Sequence, residues 1–139
     1  MRFLTLIIAT VMLLTTNAQT VCRKSPMTTD GIIRYSLIVV VPDNLDEYLP
    51  LALEVGEISM RTEPGVLAMY PTVSKEDSCK VTIMEIYASP DAYKSHIASP
   101  HFQKYKQGTL HMVKSLQLLD QNPLNPDMYI SSGIIPKKE

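Results

Sequence analysis

The sequence predicts one α+β domain, a split βαβ arrangement with an antiparallel sheet and its helices on one face. Two observations carry this. Runs rich in β-branched residues alternate with stretches of helical periodicity in the order β-α-β-β-α(α)-β. Proline, glycine and asparagine clusters punctuate them at the junctions.

Residues 1–18 read as a secretory signal. Arg2 supplies the positive start, Leu4 to Leu14 the apolar run, and Thr15-Thr16-Asn17-Ala18 the small-residue cleavage site. The run is too short for a hydrocarbon core that needs roughly 20 residues. An uncleaved anchor is one alternative. A lipoprotein centred on Cys22 is another, but Gln19-Thr20-Val21 lacks the usual Leu and small residues. Residues 19–31 form a polar leader, and 32–131 the folded domain.

Ile32 to Val41 is a nearly continuous β-branched strand. Pro42-Asp43-Asn44 stops it, and Asp43 or Asn44 can cap the helix that follows. From Leu45 to about Arg61 the apolar residues fall on one helical stripe, and Glu63-Pro64-Gly65 ends it. Val66 to Val73 is a second strand, which Pro71 assigns to an edge or a bulge. After the loop Ser74–Ser78, Cys79 to Ala88 alternates, with Val81, Ile83, Glu85 and Tyr87 on one face. Ser89-Pro90 opens a short helix, and Ser99-Pro100 repeats the device ten residues later. The second of these helices carries a stripe of Phe102, Tyr105, Thr109, Met112, Val113 and Leu116. Ser115 to Gln121 is the last strand, Asp127 to Ser131 a short extra one, and 132–139 a frayed tail.

Helices on one face leave the other face of the sheet bare. Strands one to three alternate imperfectly, so that face carries apolar side chains. A second copy of the chain is the expected cover, giving a homodimer through the open sheet face.

Signal removal leaves 121 of 139 residues. Arg2 is the one charged residue lost, so the formal charge moves from −1 to −2. Apart from Lys137-Lys138 there is no basic block, which argues against nucleic acid. No basic amphipathic helix suggests a membrane surface either. The expected location is periplasmic or secreted. In such an oxidising compartment Cys22 and Cys79 are expected to bond, pinning the leader to the start of the third strand. Two free thiols or an intermolecular link are the other outcomes. The methionines are dispersed, as in adaptable core packing rather than a copper site.

Glu63-Pro64-Gly65, Glu85-Ile86-Tyr87, His96 and His101-Phe102 form a recognisable series. EPGVLAMY followed by VTIMEIYASPDAYKSHIASPHFQKY resembles the antibiotic biosynthesis monooxygenase (ABM) family, over about residues 32–121. The resemblance implies a ferredoxin-like fold, a dimeric α/β barrel with sheets face to face, and a small-molecule pocket between sheet and helices. Some members oxidise polycyclic phenols or quinols with O₂ and no bound metal or flavin. Others cleave haem or isomerise a sugar phosphate. This chain has no tryptophan, which disfavours the haem branch. Predicted export disfavours the sugar-phosphate branch.

The candidate catalytic residues are His96, His101 and Glu85. A histidine titrates near neutral pH and can take a proton from a phenol, leaving an electron-rich anion that reacts with O₂. Tyr87, Tyr70, Tyr35 and Phe102 are the candidate pocket walls for a small aromatic ligand. Each residue also admits a structural role. His96 would suit a helix C-terminus, His101 would set a helix junction, and Glu85 would pair with a histidine or Arg34. Strand tyrosines are commonly core or interface. His96, His101 and Glu85 match no dedicated metal motif, so no metal or cofactor is expected beyond O₂ as co-substrate. The leading reading is a cofactor-independent monooxygenase of a quinol-like compound. The alternative is a non-catalytic dimeric small-molecule-binding module of the same fold.

Overall fold

A computed structural model describes residues 22–125. The expected signal segment 1–18, the extra strand at 127–131 and the tail 132–139 lie outside the described residues.

The chain forms β1 (Ile32–Val40), α1 (Leu45–Thr62), β2 (Val66–Val73), β3 (Lys80–Tyr87), α2 (Pro90–Ala98), α3 (Pro100–Thr109) and β4 (Val113–Gln121). The strands make one antiparallel sheet in the order β2-β3-β1-β4. This is the predicted α+β ferredoxin-like arrangement. Pro71 lies on edge strand β2, where its missing N–H breaks no ladder.

The two serine caps form as expected. Ser89 Oγ accepts from the Ala92 N–H, and Ser99 Oγ from the Phe102 N–H. The cap expected from Asp43 or Asn44 does not form. Instead Pro42–Asn44 makes a 3₁₀ turn that runs straight into α1, with the Asn44 N–H bonded to the Val41 carbonyl. The last helix is shorter than its stripe suggested. It ends after Gly108 and Thr109, both poor helix formers, and a 3₁₀ turn (Leu110–Met112) leads into β4 at Val113. Leu116 is therefore a strand residue.

The core lies between sheet and helices. Ile38, Val40 and Val81 from the strands meet Tyr48 and Ala52 of α1 and Met112. Tyr48 is fully buried because its hydroxyl has a partner, the Tyr105 hydroxyl at 2.6 Å. On the opposite, uncovered face, strand pairing aligns Leu119, Tyr35, Met84 and Tyr70 in one row across all four strands. Tyr35 and Tyr70 are exposed there.

The leader is tied down where it is described. Lys24 Nζ donates to the Glu63 carbonyl at 3.0 Å, the Ser25 N–H to the Pro64 carbonyl, and Thr28 Oγ1 to the Ala88 carbonyl. These bonds place Cys22 near the far end of β3, where Tyr87 pairs with Val66. Cys79 sits at the strand's other end. Eight residues of strand span roughly 26 Å, far beyond the ~7 Å Cα limit of a disulfide. The expected Cys22–Cys79 bridge is not formed, and both residues are free thiols.

Gly65 marks the closest approach of the β2 start to α2. A Cβ there would stand 2.4 Å from Ala92 Cβ. Gly65→Ala is expected to cost about 1–3 kcal/mol in urea unfolding, and adding Ala92→Gly to restore part of it. Additive losses in the double variant would contradict this contact.

Candidate functional site

The helix layer does not fill the space above the sheet. A cavity of about 480 Å³ remains between the sheet and the three helices, within the usual range for small-molecule sites. Ile38, Ile83 and Val55 give it apolar walls, and Tyr87, Tyr93, Phe102 and Tyr105 aromatic ones.

Four of the residues singled out from the sequence line this cavity: Glu85, Tyr87, His96 and Phe102. The Glu85 carboxylate is buried and accepts hydrogen bonds from Ser36 Oγ at 2.6 Å and Tyr87 Oη at 2.7 Å. Its expected partner, a histidine or Arg34, is not the one it has. Burial, and then the Glu85 charge, push the Tyr87 phenol well above its ordinary pKa. Tyr87 is thus a fixed donor. Arg34 turns to Asp120 instead, with its Nε 2.6 Å from one carboxylate oxygen, and its guanidinium lies over the Tyr93 ring at 4.6 Å.

Tyr35 and Tyr70 do not line the cavity. They belong to the opposite sheet face, because Ser36 and Met69, their chain neighbours, take the helix-side positions.

His96 is 2% exposed and forms part of the cavity wall. Its Nδ1 lies 2.9 Å from Glu63 Oε1. The same oxygen receives His101 Nε2 at 2.7 Å, and that nitrogen also lies 3.2 Å from Ser59 Oγ and 3.1 Å from Ser99 Oγ. Among the described residues the second ring nitrogen of His96 has no partner. Burial alone would raise the Glu63 carboxyl. Hydrogen bonds from His96 and His101 outweigh it and hold the group below its ordinary 4.5. A carboxylate only accepts, so each imidazole presents an N–H to it. His96 is thereby held with its proton on Nδ1, which leaves Nε2 as the nitrogen Glu63 does not engage. His101 does not line the cavity. It stands behind His96 and anchors Glu63.

Glu63 was legible only as part of a helix-ending motif. Its partners are 33 and 38 residues away, and no local pattern announces them. Ser36, Tyr93 and Tyr105 were missed for the same reason. Glu63, His96 and His101 also make the one group of three among the described residues that could hold a metal ion, their donor atoms lying within 4.8 Å of one another. The carboxylate of that set is Glu63 rather than Glu85.

A carboxyl whose pKa falls on folding adds stability above its unfolded value and loses it as pH drops through the folded one. Unfolding in urea is therefore expected to become easier below pH 4.5. Glu63→Gln should be less stable by about 1.5–3 kcal/mol at neutral pH and decline less steeply over that acid window. Parallel curves for the two proteins would refute the arrangement.

The family model for antibiotic biosynthesis monooxygenases matches residues 30–108. Among solved structures, a candidate antibiotic biosynthesis monooxygenase from Bacteroides thetaiotaomicron is 50% identical. The match covers 73% of this chain and 97% of that one, with a TM-score of 0.71. A counterpart from Caulobacter crescentus is 24% identical over 68% of this chain and 92% of its own, TM-score 0.61. One from Nitrosomonas europaea is 16% identical over 73% and 98%, TM-score 0.65. The last two share the fold. A comparison with curated protein sequences finds no match. With the fold, the Glu63-Pro64-Gly65 turn and the cavity in place, the chain belongs to the antibiotic biosynthesis monooxygenase family.

Proposed function

We propose that this protein is a monooxygenase of a small aromatic or quinol-like compound, using molecular oxygen as co-substrate and no bound cofactor. The observation that carries the reading is His96: a buried imidazole on the wall of an aromatic-lined cavity, with its Nδ1–H held by Glu63 and its other nitrogen unengaged.

The chemistry follows from that placement. His96 Nε2 takes a proton from the bound phenol. The resulting anion supplies the electrons for reaction with O₂, one oxygen atom entering the product and the other leaving as water. The developing charge is offset by the imidazolium that forms beside it, while the Tyr87 hydroxyl, its proton committed to Glu85, serves as a fixed wall. Water exclusion by Ile83, Val55 and Phe102 strengthens that attraction. Glu63 is a positioning residue. It fixes the tautomer of His96 and stabilises the imidazolium that forms.

Oxygen uptake with a panel of hydroquinones is expected for the wild type. His96→Ala should lower it by about a hundredfold or more while leaving binding of the same compounds near wild type. Turnover by neither would leave the cavity as a binding site only, and equal turnover by both would remove His96 from the role of base.

The functional unit in this reading is a homodimer, exported from the cytoplasm. The row of Leu119, Tyr35, Met84 and Tyr70 supports the dimer, since it lays apolar side chains across the bare sheet face. Light scattering should give the mass of two chains at micromolar concentration, and Met84→Glu should give one. A wild-type monomer would remove the reason for that row.

A further inference from the structure

The cavity has a charge polarity that its apolar walls do not explain. Its buried end holds the carboxylate Glu85, 9% exposed, whose two hydrogen bonds come from Ser36 and Tyr87. Its exposed lining holds two lysines, Lys106 from α3 and Lys114 from β4, together with the exposed leucines Leu110 and Leu116.

Lys114 owes its place to a bulge. Val39 pairs with Ser115 and Val40 with Val113, so Lys114 is the extra residue, freed from strict alternation. Among the described residues neither Lys106 nor Lys114 has an ion-pair partner. By contrast, Lys104, two residues earlier on α3, pairs with Glu54, while Lys80 and Lys94 pair with Asp77 and Asp91. Arg34, the third cation of the lining, is already matched by Asp120.

An ordinary solvated lysine needs no explanation. Two unpaired ones on the rim of a single apolar cavity, opposite an internal carboxylate, define an orientation for what enters. A negative group is attracted at the mouth and repelled at the closed end. Resting on the reading of this cavity as an aromatic-ligand site, we propose that its ligand is an amphiphilic anion. An aromatic body enters toward His96, and a carboxylate or similar acid group stays at the mouth against Lys106 and Lys114. The acid group would set which end of the ligand reaches the histidine.

A pair of fluorescent probes tests this without turnover. 1-Anilinonaphthalene-8-sulfonate and N-phenyl-1-naphthylamine share one aromatic body, and only the first is charged. The purified protein should bind the sulfonate about tenfold more tightly, a preference that fades with added salt. Lys106→Ala/Lys114→Ala, a surface double variant, should erase the preference while leaving the neutral probe's affinity unchanged. Val55→Phe, which fills the cavity, should weaken both probes, with its fold checked by circular dichroism. Equal affinities in the wild type, or a preference that survives the double variant, would overturn the proposal and leave the aromatic site standing. Binding that persists in a folded Val55→Phe protein would put the probes outside the cavity and overturn the proposal as well. If the wild type binds neither probe, the aromatic-ligand reading falls as well.

Discussion

One half-buried carboxylate oxygen holds the functional half of this molecule together. Glu63 Oε1 sits between His96 and His101 at 2.9 and 2.7 Å, and its residue lies at the end of α1, against α2 and α3. The same residue's backbone carbonyl takes Lys24 from the N-terminal segment. A carboxylate taken out of water needs partners, and here each partner comes from a different helix. The arrangement depends on the break between α2 and α3. Five residues along an unbroken α-helix would put His96 and His101 roughly 140° apart, too far round to share an oxygen. Ser99 and Pro100 end one helix and start the next, and the change of direction brings both rings onto Glu63.

The same break separates two jobs that look alike in the sequence. His96 is in the last turn of α2 and reaches the cavity. His101 is in the first turn of α3 and stays behind the wall. The two carboxylates divide similarly. Glu63 lies outside the cavity lining and holds two imidazoles in place, whereas Glu85 lies inside it and is occupied by hydroxyl donors. Residue type alone could not assign these roles. Which atoms face the enclosed space decides them.

What was legible in the sequence was local. Alternation in β3 put Glu85 and Tyr87 on the core side, and the Ser-Pro pairs gave both helix starts, because periodicity and capping act within a few residues. What failed was long-range or phase-dependent. Tyr70 shows the second kind. Counting by twos from buried Val66 puts Tyr70 on the core face, but Leu67 is an extra residue in β2. Val66 pairs with Tyr87 and Ala68 with Ile86, so the phase flips before Tyr70. Tyr35 stands between Arg34 and Ser36, and it is these polar residues that take the cavity side, so polarity in β1 pointed to the wrong face. The cysteine pair failed differently. Two thiols in a chain expected to be exported invite a bridge, but the path of the leader puts them at opposite ends of β3.

The cavity itself follows from a length mismatch. Helix α3 stops at Thr109, so the helix layer ends before it covers β4. Leu116 and Leu118, paired with Ile38 and Ser36 on the helix side, are left about half exposed at 55% and 49%. Leaving leucines in water costs stability that a longer helix would recover. A longer α3 would also cover the cavity lining at Lys106 and Lys114. In the proposed reading, the chain forgoes packing at the edge of its core to leave access to the imidazole. It keeps full burial deeper in, where Tyr48, Val40 and Met112 hold the sheet and helices in register.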